Sequence, residues 1–239
     1  IFKPEPVCAI HPGGRGCRSR GNHARMTTLH EESDVTPEAD RLTHTLETID
    51  AANAADPNTE TVDGEEMPKE LAYGRHMTRW LHELESEPSE DVQIACRAQH
   101  IERWRIPRSD YPEGRKSYYE WRQACGRFHA ERATEIMAEA GYDEGHREHV
   151  AQMLTKRELK KDPDTQLMED VACLVFLERY FAPFYEEHAE FDRDKWMRIV
   201  KRTWGKMSSR GQDAALRLAG NLPEHLQEVL HEALEEAPS

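Results

Sequence analysis

The sequence predicts an all-α protein, a single helical-bundle domain with a C-terminal helical extension. Two observations carry this. Apolar residues recur at spacings of three and four along most of the chain, and helix-starting and helix-stopping residues bracket those runs. No segment shows convincing period-two alternation, and no Gly-rich strand-to-helix turn is present.

The elements follow in order. Residues 1–25 are rich in Gly, Pro and Arg, show no apolar periodicity and lack a signal-peptide apolar block, so a disordered leader is expected over 1–35, with the helical domain over 36–239. Thr36-Pro37 starts the first helix, whose stripe is Leu42, Leu46 and Ile49 and whose end falls near Asp56-Pro57. Residues 56–67 read as an acidic loop. Pro68 starts a second helix carrying Leu71, Tyr73, His76, Trp80 and Leu84. Ser89 caps a third, on which Ala95, Ala98 and Ile101 pack and which carries His100. A loop spans 105–114. A long helix or pair runs over 115–140 and is closed by Gly141. Asp143 begins a helix with Val150, Met153 and Leu154, followed by a basic connector at 156–161. Asp164 is expected to cap the most hydrophobic helix, 165–182, with Pro183 stopping it. Amphipathic helices at about 192–205, 208–219 and 223–236 close the chain.

Composition narrows the function. A net charge of −14 disfavours general attraction to nucleic acid or anionic lipid. A mean hydropathy of −0.88 suits long solvated faces. The longest apolar run, Val171 to Leu177, is far short of the roughly 20 residues a membrane span needs. Five cysteines without a Cys-x-x-Cys pair argue against a disulfide framework, so reduced thiols and a cytoplasmic location are expected.

Four residues stand out as metal ligands. Asp170 shares a helix face with Leu174, Leu177 and Phe181, where a carboxylate needs a partner or a cation, whereas Glu169 reads as outward and solvated. His76, His100 and His129 each lie beside an apolar stripe on a different helix. Imidazoles and a carboxylate projecting from four helices into one core can hold a divalent metal ion such as Zn, Mn, Fe or Mg.

The stretch Arg97 to Arg132 is locally basic, with nine Arg and Lys against five Asp and Glu, and is interleaved with Trp104, Tyr111, Tyr118, Tyr119 and Trp121. Arginine forks and aromatic faces together suit a phosphorylated small molecule or nucleotide. Arg75, Arg79, Trp104, Arg108, Lys116 and Arg132 are the candidate substrate contacts. Glu102 is the candidate general base and Arg103 the group that steadies developing charge.

Residues 37–220 resemble an uncharacterised family, a domain of unknown function often labelled glutamyl-tRNA-synthetase-like. The motifs that carry this are Ile49-Asp50-Ala51-Ala52-Asn53, Pro68-Lys69-Glu70-Leu71, Ala98 through Trp104, Pro107-Arg108 and Glu169 through Leu177. The synthetase label itself is rejected: His100-Ile101-Glu102-Arg103 and Lys206-Met207-Ser208-Ser209-Arg210 lack the glycine, second histidine and strands of the class I enzymes. The order His76, His100, His129, Asp170 is also similar to the HD superfamily of all-α metal-dependent phosphohydrolases, except that Ile101 stands where that pattern has Asp. That resemblance implies an HD-like domain and a divergent phosphohydrolase. The alternative is a non-catalytic helical module binding a nucleotide or phosphometabolite. A third option is a structural protein, with a homodimer formed through the C-terminal helices.

Overall fold

Helices form where caps and apolar spacing coincide. The computed structural model describes residues 37–235, so the leader expected over 1–35 lies outside the described residues. Helix α1 (Pro37–Asn53) opens with proline at its first position and buries Thr45 and Ile49.

The segment expected as an acidic loop is instead a hairpin, the only sheet among the described residues. Strand β1 (Thr59–Val62) pairs antiparallel with β2 (Glu65–Pro68). Between them Asp63 and Gly64 take φ of 52° and 88°, the two positive values that a tight primed turn requires. The hairpin delivers the chain to α2 (Lys69–Leu84). Pro68 gives that helix no side-chain cap. Asp56 supplies one from across the hairpin, its Oδ2 accepting the Glu70 N–H at 3.0 Å.

Helix α3 (Glu90–Ala98) is capped by Ser89, as expected, but ends before His100. Glu102 takes a left-handed φ of 49° and donates its backbone N–H to Asn53 Oδ1 at 2.9 Å, so the chain reverses and His100 sits in the turn. Two short 3₁₀ turns lead to α4 (Arg115–Glu139), which Gly141 closes at φ 84°. Asp143 caps α5 (Glu144–Leu154).

The hydrophobic helix differs from expectation at both ends. Asp162, not Asp164, caps α6 (Pro163–Val175) by accepting the Thr165 N–H, which places Pro163 at the first helical position. One π-helical turn, Phe176–Tyr180, follows, and α7 (Phe181–Glu187) continues the rod. Pro183 does not stop the helix. It lies within α7, which runs on to Glu187. The chain ends with α8 (Arg193–Trp204), α9 (Ser209–Ala219) and α10 (Glu224–Glu235).

Helix α2 packs on α3 and α6, α4 lies along α5, α9 seals α6, and α10 covers α8. The core they share contains Met77, Leu81, Ile94, Met137, Met168, Leu174 and Phe181, all without solvent exposure. The expected all-α domain is therefore what forms. No helix among the described residues is long and apolar enough to cross a membrane.

A polar clamp ties α3, α5 and α6 together. Asp91 accepts from His146 at 2.7 Å and from His149 at 2.9 Å, and the other ring nitrogen of His149 lies 3.3 Å from Asp162. Burial works against charging His149, but its bonds to Asp91 and Asp162 outweigh that and raise its pKa above the ordinary 6.5. A histidine raised on folding stabilises fully below its unfolded pKa and stops doing so as pH rises through the folded one. Urea unfolding should therefore show stability falling as pH climbs upward from about 6.5, with the slope flattened in His149→Gln.

Candidate functional site

A cleft opens where the first turn of α2, the turn after α3, the start of α4, the basic connector after α5, the π turn and α8 meet. It has two lobes. The larger, of about 1100 Å³, is walled by Trp104, Tyr118, Phe176, Tyr180, Phe184 and Ile199. The smaller, of about 580 Å³, is lined by Gln123, Arg127, His129, Thr155 and Arg157. Gln99, His100, Arg103, Trp121, Arg122 and Lys156 line both.

The cleft is strongly cationic. Among the described residues Lys69, Arg103, Arg108, Arg122, Arg127, Lys156, Arg157, Arg202 and Lys206 line it, against two carboxylates, Glu70 and Glu169. Glu169 is not outward and solvated as expected. It is 2% exposed and neutralises Lys156 and Lys206, whose Nζ is 3.3 Å away. Burial opposes its ionisation, but the two lysines prevail and hold it below the usual carboxylate range. The π turn contributes Phe176 and Tyr180 to the wall, and Tyr180 donates to Glu60 of β1 at 3.1 Å, fixing the hairpin beside the rim.

His100 is the pivot of the cleft. Tyr73 stacks on its ring at 3.8 Å between centroids. Arg103 Nη1 lies 2.7 Å from Nε2 and 3.1 Å from Nδ1, and Nδ1 lies 3.2 Å from Glu70 Oε2. Burial and then Arg103 push the His100 pKa well below 6.5, so the ring is neutral. Glu70 is buried too, and desolvation lifts its carboxyl to about 7 despite Arg103 and Lys69. His129 lies 5.9 Å from His100 between centroids and bonds the Gln99 backbone, while its buried Nε2 has no partner among the described residues.

A carboxyl that ionises near neutrality inside a cationic cleft makes anion affinity depend on pH. Above about 7 Glu70 is negative and opposes an anion; below it the group is neutral. Sulfate, which does not itself titrate here, should bind more tightly at pH 6 than at pH 8 in calorimetry. Glu70→Gln should remove most of the difference, because both histidines lie too low to contribute.

The expected site residues divide. His100, Arg103, Trp104 and Arg108 line the cleft, and His129 lines its smaller lobe. The others point elsewhere. His76 faces the hairpin, its Nε2 3.8 Å from Glu60. Both oxygens of Asp170 are taken by the α9 terminus: Oδ1 accepts the Ser208 N–H at 2.8 Å and Gln166 at 2.9 Å, and Oδ2 accepts the Ser208 hydroxyl. Glu102 accepts from Arg132 at 2.9 Å and from Arg105 at 3.3 Å. Arg132 also pairs with Glu135, Arg79 with Glu83 and Glu178, Arg75 with Asp50, and Lys116 with Glu120. Lys69, Glu70, Tyr73, Gln99, Lys156, Glu169, Arg202 and Lys206 enter the cleft without having been singled out for it.

A four-ligand metal centre is not assembled by these positions. Among the described residues no three His, Cys, Asp or Glu side chains are grouped so as to hold a metal ion. His100 and His129 neighbour each other, but His76 and Asp170 are engaged with other partners, so the donor set does not fit a divalent cation.

Comparison with known proteins adds the family. The family model described as "Domain of unknown function (DUF4202)" matches residues 43–230, well over half of the chain. The protein belongs to that family. No curated protein matches the chain, and no solved structure matches it.

Proposed function

We propose that the protein binds a phosphorylated small molecule carrying an aromatic ring, a nucleotide being the simplest case. One observation carries this reading: nine cationic side chains face two carboxylates inside an aromatic-walled cleft of a protein whose net charge is −14. Arginine forks hold phosphate oxygens in bidentate fashion, and Trp104 and Tyr118 offer faces to a ring. Isothermal titration with AMP and inorganic phosphate tests it. Binding that survives a chelator and weakens with salt supports the reading; no heat from either ligand at millimolar concentration refutes it.

One observation favours turnover as well. A carboxyl with a pKa of about 7, bonded to a neutral imidazole, suits proton transfer at neutral pH. Phosphoester cleavage then rests on Glu70 and His100, not on a shell of His76, His100, His129 and Asp170. The HD-like resemblance supports the reaction class but not that ligand set, and the synthetase label has no parallel sheet to rest on among the described residues. Phosphate release from a phosphoester panel, lost in Glu70→Gln, is the measurement. Buried free Cys96, Cys125 and Cys173 fit a reducing compartment, so we place the protein in the cytoplasm. Self-association through the C-terminal helices is checked by light scattering over a concentration series.

A further inference from the structure

The two lobes differ in chemistry and share their cations. Arg103, Arg122 and Lys156 line both, whereas the aromatic side chains other than Trp121 and Tyr119 belong to the larger lobe. A phosphate resting on those three cations is reachable from either side. The larger lobe, at about 1100 Å³, already equals the upper end of the roughly 300–1,000 Å³ typical of small-molecule sites. A monoester with its ring there and its phosphate on the shared cations leaves the second lobe to water.

That second lobe carries a specific demand. His129 is 4% exposed and bonds the Gln99 backbone, which leaves Nε2 as a buried acceptor without a partner. Its neighbours Arg127, Arg157 and Gln123 are donor-rich, and among the described residues no carboxylate lines the lobe. A phosphate oxygen has no proton to give a lone pair. A hydroxyl does, and its own oxygen can accept from the arginines. An unmet buried acceptor is costly, so a ligand that supplies the donor gains what the empty site forgoes.

Building on the nucleotide-binding reading, we infer that the ligand carries its phosphate in the middle: a diphosphate-bridged molecule with an aromatic arm in the larger lobe and a hydroxylated, sugar-like arm beside His129. The diphosphate rests on Arg103 and Arg122, with Lys156, which Glu169 already holds, beside them. The ring packs among Tyr180, Phe176 and Trp104. The sugar arm donates a hydroxyl to His129 Nε2.

Titrating the full chain with AMP, ADP and ADP-ribose separates the possibilities, because ADP and ADP-ribose differ only by the sugar arm. ADP-ribose should bind at least ten-fold more tightly than ADP. Arg127→Gln, an exposed position, should weaken ADP-ribose about ten-fold and AMP less than three-fold. His129→Gln, with folding checked by its thermal midpoint, should erase the preference of ADP-ribose over ADP. If AMP and ADP bind but ADP-ribose is no tighter, the bridged-ligand inference is overturned and the nucleotide reading stands. If none of the three binds, both fall. Should His129→Gln fail to fold, the ADP against ADP-ribose comparison and Arg127→Gln still decide the question.

Discussion

Asp170→Ala should destabilise the protein by about 2–4 kcal/mol, equally with and without a chelator. The carboxylate is 2% exposed and accepts from the Ser208 N–H, the Ser208 hydroxyl and the Gln166 amide, which makes it the anchor of the α9 N-terminus on α6. Removing it takes the acceptor from the half-buried Ser208 N–H and hydroxyl, while the Gln166 amide keeps the Lys206 carbonyl, and it leaves a void between two helices; a hydrogen bond to a charged group is worth roughly 1.5–3 kcal/mol. The packing is tight enough to give a second handle on the same contact. A Cβ built on Gly211 would lie 2.7 Å from Asp170 Cγ, so Gly211→Ala must displace the carboxylate or the helix. It should lose stability in the same direction, and the double variant should lose less than the sum of the two. Chemical denaturation with and without EDTA checks all three. A chelator-dependent loss in the wild type that Asp170→Ala abolishes would restore Asp170 as a metal ligand.

This contact also shows how a correct reading of burial leaves the partner open. The spacing of Asp170, Leu174, Leu177 and Phe181 placed the carboxylate inward, and all four are buried. A buried carboxylate needs a partner, but the sequence does not say whether the partner is a cation or a helix end 38 residues further on. Glu169 was misread for a related reason: a helix apolar on every side has no outward face, and its lysines come from positions 156 and 206. Ser89, Asp143 and Gly141 were legible because capping is local. Asp162 and Asp164 both stand at the start of the same helix, and only geometry chooses between them. The hairpin was hidden because its residues are exposed or half-buried, so no apolar alternation marks it, although Asp63-Gly64 is a turn signal.

Half of the cleft was readable on the same terms. Density of basic and aromatic residues found Arg103, Trp104 and Arg108 because they lie within six positions. Lys69, Lys156, Arg202 and Lys206 were unreadable because four separate elements bring them together. The candidates that lie outside the cleft carried a warning. Arg79, Lys116 and Arg132 each have a glutamate three or four residues onward and spend their charge on it.

Arg103→Gln combined with Arg122→Gln should weaken phosphate or AMP binding by at least 100-fold while costing little stability. Both side chains line both lobes, so an anion held there meets them together. A hydrogen bond to a charged group is worth roughly 1.5–3 kcal/mol, and two lost contacts amount to two or more powers of ten in affinity. Glu169 keeps Lys156 and Lys206, and Glu70 loses Arg103 but keeps Lys69 and can take up a proton, its carboxyl pKa lying at about 7; Arg103 otherwise lies over Trp121 at 4.9 Å and donates to His100. The folding cost should therefore stay near that of a surface substitution. Arg103→Lys separates charge from geometry, since lysine restores the charge but not the fork, and should recover only part of the affinity. The slope of log affinity against log salt should also fall in magnitude in the double variant, since two fewer charges meet the anion. Undiminished AMP binding by the double variant would mean that the phosphate does not sit where the two lobes meet.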